Sequence, residues 1–127
     1  MVFAAHGNIN VERIGRIIIN RPTTAFNSEG IQALLNSIAA QAIELEQGGW
    51  ILVESLGNEA LPTPSAIDEL IASYCRCKNL GCKKIAGIGN PLQREFLGKT
   101  ASNAGLPIVF YNDEKAAINA NCAFSDS

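Results

Sequence analysis

Four consecutive apolar residues, Trp50-Ile51-Leu52-Val53, follow directly on Gly48-Gly49 and run into polar Glu54 and Ser55. No polar position interrupts the run, so neither face of the segment is built for water. A glycine-bounded run of this kind reads as a central strand covered on both sides.

The preceding sequence supplies one covering helix and two more strands. From Ile9 to Asn20 the residues alternate and then turn β-branched (Arg16-Ile17-Ile18-Ile19), and Ile14-Gly15 marks a turn between two strands. This predicts an opening antiparallel pair with the second strand more deeply buried; residues 2 to 6 are candidates to extend the first. Arg21 to Phe26, with Pro22, reads as a loop, and Asn27 and Ser28 as N-cap candidates followed by Glu29. Ile31, Leu34, Leu35, Ile38, Ala42 and Leu45 recur at three and four and predict an amphipathic helix that Gly48-Gly49 stops.

Downstream, the loop from Gly57 to Pro62 leads to Thr63-Pro64, a threonine N-cap with proline at the first helical position. Ile67, Leu70, Ile71, Tyr74 and Cys75 make the expected buried stripe, and Asn79 or Gly81 ends the helix. Lys84 to Ile88 is the next expected strand, and Asn90-Pro91 repeats the cap-then-proline start. Leu92, Phe96, Leu97, Ala101 and Ala104 are expected to face inward before Gly105 closes that helix. Leu106 to Tyr111 reads as the last strand, and Asn112 or Asp113 as the cap of a short helix from about Glu114 to Asn121. The predicted order is β-β-α-β-α-β-α-β-α, a five-stranded mixed, largely parallel α/β sheet with right-handed crossovers. All 127 residues are read as a single domain.

Composition narrows the function classes. The chain is 47% hydrophobic and 17% charged, apolar enough to bury a core, and its 10 basic and 12 acidic residues leave a net charge of -2. That balance disfavours nucleic acid, whose binders carry a strongly basic face. The basic cluster Arg76, Lys78, Lys83 and Lys84 reads as cations at a helix C-terminus and in the turn after it. No stretch approaches the roughly 20 apolar residues of a transmembrane helix. The N-terminus lacks the basic start of a secretory leader. Four cysteines in a chain of this length do not form a disulfide framework, so free thiols and a cytoplasmic location are expected.

The arrangement resembles the STAS family, the anti-anti-sigma-factor-like (SpoIIAA-like) domains, over nearly the whole chain. The local match is Trp50-Ile51-Leu52-Val53-Glu54, a short loop, then Leu61-Pro62-Thr63-Pro64-Ser65-Ala66-Ile67 opening the second helix. Signalling members of that family carry Asp-Ser-Ser-Gly at this helix start, with the second serine phosphorylated by a partner kinase. Here Thr63, Pro64 and Ala66 replace the aspartate, first serine and glycine, and Ser65 alone is retained, at the phosphoacceptor position. The resemblance therefore implies the SpoIIAA-like fold, in its uncharacterised stand-alone branch, more than the sigma-factor switch. Without phosphorylation, Ser65 reads as a first-turn residue or as an alternative cap paired with Asp68.

Other chemistries are thinly represented. Cys75, Cys77 and Cys82 form Cys-x-Cys-x4-Cys, but positions 75 and 77 lie about 200° apart around a helix. Zinc wants four convergent ligands, and the only histidine is His6, so buried thiols are expected and no metal or cofactor. Gly87-Ile88-Gly89-Asn90-Pro91-Leu92 lacks the third glycine of a dinucleotide-binding turn and reads as a tight turn. His6 has no evident nucleophile to serve. Glu54, at the end of a central strand, faces the usual ligand crevice of open α/β sheets; as a lone carboxylate it suits a solvated strand end better than acid–base work. An enzyme is not expected. The expected function is a regulatory or protein-binding module whose recognition rim comprises Arg21, Thr24, Asn27, Glu54, Glu59, Thr63, Ser65, Asn90 and Arg94. The alternative is a carrier of a small anion or lipid headgroup, with Arg21 and Arg94 as counter-charges. An unidentified protein partner fits the first reading, and homodimerisation is compatible with both.

Overall fold

In the computed structural model, residues 11–22, 28–57, 60 and 66–122 are described, without the side chains of residues 28, 29 and 34. Their strands are β1 (Val11–Ile14), β2 (Ile17–Asn20), β3 (Trp50–Ser55), β4 (Cys82–Ile88) and β5 (Ile108–Phe110). They form one sheet in the order β1-β2-β3-β4-β5. The first pair is antiparallel and every later pairing is parallel. The helices are α1 (Ser28–Ala42), α2 (Ile67–Asn79), α3 (Pro91–Ala104) and α4 (Glu114–Ala120).

Strand alternation divides the apolar residues between two cores. Ile18, Leu52 and Ile85 stand side by side across β2, β3 and β4, and with Trp50 they face α1, α2 and α3. Ile17, Ile19, Ile51, Val53 and Ala86 point to the other face, where α4 contributes Ala117. Every residue from Ile17 to Asn20 and from Trp50 to Glu54 is buried, as expected for strands that have a layer on either side. The opening strand β1 is largely exposed, so the difference in depth within the hairpin matches the expectation.

Two inward stripes differ from the sequence reading. On α2 the buried residues are Leu70, Ser73, Tyr74 and Cys77, at helical spacings of three and four, while Cys75 is exposed. Cys75 follows Tyr74 directly, so it points about 100° away from the stripe. On α3, Leu92 is 63% exposed and its neighbour Gln93 is 1% exposed. Gln93, Leu97, Thr100, Ala101 and Ala104 keep the helical spacing, and Leu92 falls off it.

Element ends also shift. β4 begins at Cys82, two residues before the expected Lys84, and β5 is shorter than the Leu106 to Tyr111 run. α1 ends at Ala42 and passes into a 3-10 turn, Ile43–Leu45. The chain then reverses through Gly48 and Gly49, with φ of 92° and 80°. Arg16 fixes this reversal: its Nη1 donates to the carbonyls of Leu45, Gln47 and Gly49 at 3.2, 2.9 and 3.0 Å. The expected α2 start at Thr63-Pro64 and the extension of β1 over residues 2 to 6 lie outside the described residues. Among the described residues, no helix is long and apolar enough to cross a membrane.

Ile18 is fully buried between the sheet and α1, so Ile18→Ala is expected to lower unfolding free energy by about 2–5 kcal/mol. Ile14, 39% exposed on β1, should lose less than about 1 kcal/mol on the same truncation. Urea denaturation of both variants checks the pair; equal losses would contradict the assignment of β2 to the interior.

Candidate functional site

The loops that leave the C-terminal ends of β2, β3 and β4 are tied together by backbone and by one side chain. The Gly57 amide donates to the Pro22 carbonyl at 2.9 Å, and the Leu56 amide to the Ile88 carbonyl at 3.0 Å. Gln93 reaches back from α3, its Nε2 donating to the carbonyls of Gly57 at 2.7 Å and Ala60 at 3.1 Å. The same side chain accepts the Asn90 amide at 2.9 Å, while Asn90 Oδ1 accepts the Gln93 amide at 2.8 Å. This reciprocal capping box satisfies two free donors of the helix start. Asn90, expected on the rim, is therefore there as a cap. Gln93 was missed by the sequence reading, although Asn90-Pro91-Leu92-Gln93 carries the Asn-x-x-Gln spacing of such a box.

Gly87 and Gly89 serve close packing. A Cβ on Gly87 would meet the Phe110 ring at 2.9 Å, and one on Gly89 would meet Gln93 Oε1 at 2.8 Å. Gly87 and Ile88 belong to β4 and not to a turn, so the glycines at 87 and 89 answer to an aromatic ring over residue 87 and a capping side chain against residue 89.

Both arginines of the expected rim are engaged within the chain. Arg21 makes a two-pronged pair with Glu114, Nε to Oε2 and Nη2 to Oε1 each at 2.9 Å, and its Nη1 reaches Glu12 at 2.8 Å. Glu114 is held below its usual carboxylate range by Arg21, with partial burial opposing and the Ser55 hydroxyl assisting. Arg94 donates from Nε to the Gly89 carbonyl at 3.0 Å and from Nη2 to the Tyr111 carbonyl at 3.1 Å. Its guanidinium also lies 5.6 Å from the centre of the Phe110 ring.

Glu54 is not a solvated strand end; it is 3% exposed. It shares its face with Trp50 and Leu52, so it points under α2. Its Oε2 accepts from the Tyr74 hydroxyl and its Oε1 from Asn20 Nδ2, each at 2.5 Å. Asn20 stands beside it on β2 and Gly87 on β4. Burial pushes the Glu54 carboxyl up from its ordinary range, and the bonds from Tyr74 and Asn20 oppose that. The Tyr74 hydroxyl is itself pushed up by burial and by Glu54. Neither Asn20 nor Tyr74 was singled out from sequence. The telling features were an asparagine ending an all-isoleucine strand and a tyrosine on a buried helical stripe.

Thr24, Asn27, Glu59, Thr63 and Ser65 lie outside the described residues. Cys77 and Cys82 are buried thiols pushed up by burial, Cys82 to about 12, whereas Cys75 and Cys122 are exposed. Among the described residues, no group of three or more histidines, cysteines and carboxylates is placed to hold a metal ion.

A mixed sheet of this order, with three helices packed on one face, is the SpoIIAA-like α/β fold. The crystal structure of an uncharacterised protein from the DUF3478 family of Shewanella loihica PV-4, described as having a SpoIIAA-like fold, is similar to it, with a TM-score of 0.68. The match covers 94% of this chain and 97% of that one at 11% identity, so the likeness is one of fold. No family model matches the sequence, and no curated protein matches it either.

The Arg21–Glu114 pair joins β2 to α4, and its sign with pH follows from Glu114. A lowered carboxyl adds stability above its usual range and loses it as pH falls through the lowered value. Arg21→Gln is expected to cost about 1 kcal/mol or less at pH 7 and to reduce the loss of stability on acidification. Urea midpoints at pH 7 and pH 3 test this, and an unchanged acid dependence in the variant would refute it.

Proposed function

We propose that the chain is a non-enzymatic, cytoplasmic regulatory module that binds a protein partner through the rim at the C-terminal ends of the parallel strands. The observation that carries this reading is the internal engagement of the rim's described polar side chains. Arg21 is held by Glu114 and Glu12, Arg94 by two carbonyls and a ring, and Glu54 and Gln93 are buried. These bonds brace the described residues of the loops, which suits recognition by shape.

On that surface Leu92 projects from the first turn of α3, about 100° around the helix from the anchored Gln93. A large apolar side chain on a braced rim suits the buried centre of a protein interface. The anion-carrier reading is weaker, because an incoming anion would have to compete with Glu114 for Arg21 and with backbone carbonyls for Arg94. Ser65 remains the proposed phosphoacceptor, and intact-mass analysis of protein from its native cells tests for that modification.

Affinity capture from native extract with the wild-type chain and with Leu92→Asp tests the main proposal. The wild type should recover a reproducible protein that Leu92→Asp recovers about tenfold less well, as expected for a charge placed in an interface centre. Urea midpoints of the two chains should agree, since Leu92 is exposed. Recovery no greater than bare resin, or equal recovery by both chains, rejects the reading.

A further inference from the structure

The buried cluster at the end of β3 joins three elements through three side chains. Asn20 comes from β2, Glu54 from β3 and Tyr74 from α2, and all three are buried. The Tyr74 bond is a polar link between α2 and the strand ends within a largely apolar layer.

As an ionised carboxylate Glu54 would be a buried charge with no described cation to balance it. Glu54 receives one bond on each oxygen, both from neutral donors. The groups that face it are Asn20 from β2, Tyr74 and Cys77 from α2, and Cys82 from β4. All are uncharged in their ordinary forms, and no described lysine or arginine acts on the Glu54 carboxyl. A buried anion without a cation is among the costliest arrangements a protein can hold. Meanwhile Asn20 Oδ1 is buried with no hydrogen-bond partner.

One proton, with Asn20 turned, removes the charge. The two ends of a carboxamide exchange places when the group turns about its last bond, and their assignment follows from the surrounding network. With Asn20 turned, its Oδ1 faces Glu54 Oε1 and can accept an acid O–H. The buried anion then becomes a neutral acid, and Nδ2 takes the place that Oδ1 held. That exchange removes a buried charge at the expense of one amide group, whose unmet bond is the smaller penalty.

We propose that Glu54 is carried as the neutral acid, donating its proton to Asn20 and accepting from Tyr74, and that this proton clasps α2 to the ends of β2 and β3. Loss of the proton places a charge beneath α2 and loosens the helix. The inference concerns the interior and holds whether or not the rim binds a partner, so the two proposals fail separately.

The sign with pH is fixed by the chemistry. A folded chain that keeps this proton above the ordinary carboxyl range binds one proton more than the unfolded chain. The clasp is therefore complete below that range and is lost as pH rises through the raised folded value. In that window the unfolding equilibrium constant should rise by up to about tenfold per pH unit, the limit for one proton.

The neutral mimic is Glu54→Gln, which keeps an acceptor for Tyr74 and supplies an N–H for Asn20. Carbon-13 NMR of glutamate-labelled protein at pH 7 should show one carboxyl in the acid form that Glu54→Gln lacks. Urea unfolding from pH 5 to pH 8 should show wild type losing stability relative to Glu54→Gln as pH rises. Tyr74→Phe covers the case in which Glu54→Gln fails to fold: without its donor to the anion, Glu54 should stay acidic to still higher pH. Only ionised glutamates at pH 7 in both wild type and Tyr74→Phe, or parallel stability curves for wild type and Glu54→Gln, overturn the proposal.

Discussion

Burial of β2 and β3 on both faces is the constraint from which the rest of the structure follows. Ile17, Ile18 and Ile19 cannot satisfy a helix layer on one side and water on the other, because adjacent side chains point in opposite directions. Three helices cover one face, and α4 contributes to covering the second. The same requirement brings the ends of β2, β3 and β4 to a common edge, where three loops must find backbone partners in a small space. Gln93 and the capping box at Asn90 answer that need, so the character of the rim follows from the depth of the strands beneath it.

Polar residues inside such a layer need reciprocal partners, and they occur here in groups. Asn20 and Glu54 pair in register near the ends of adjacent strands, which places both under α2 at the height of Tyr74. Truncating one member would leave the others unmatched in a dry interior, so the three behave as a unit. Arg16 solves a related problem at the opposite end of the sheet, where one nitrogen gathers three carbonyls from a reversal that has no regular partners. The two ends of the strands are thus braced by different chemistry: a guanidinium on backbone at one, and an amide and a carboxyl at the other.

The sheet and its helices were legible because their determinants are local. The run from Trp50 to Val53, the Asn90-Pro91 start and the reversal at Gly48-Gly49 each specify their element within a few residues. The order of elements and the largely parallel sheet followed from them. The candidate site was harder to read, because its behaviour depends on contacts between residues distant in sequence. Arg21 looked like a free cation until α4 brought Glu114 to it from 93 positions away. Glu54 looked like a strand end at the surface until α2 covered it. The errors at Cys75 and Leu92 were of two helical positions and one. In each case the side chain that faces inward, Cys77 or Gln93, was passed over for a neighbour that looked more apolar or packed closer to the stripe.

The bare backbone at Gly87 has a reach beyond its own strand. It leaves room for the Phe110 ring from the edge strand, and that ring is the platform on which Arg94 rests while it holds the carbonyls of Gly89 and Tyr111. A single methyl at position 87 would lift the platform, tilt the guanidinium and slacken two loops that residue 87 itself does not form. The shape offered at this edge is in that sense set by a missing side chain in the middle of the sheet.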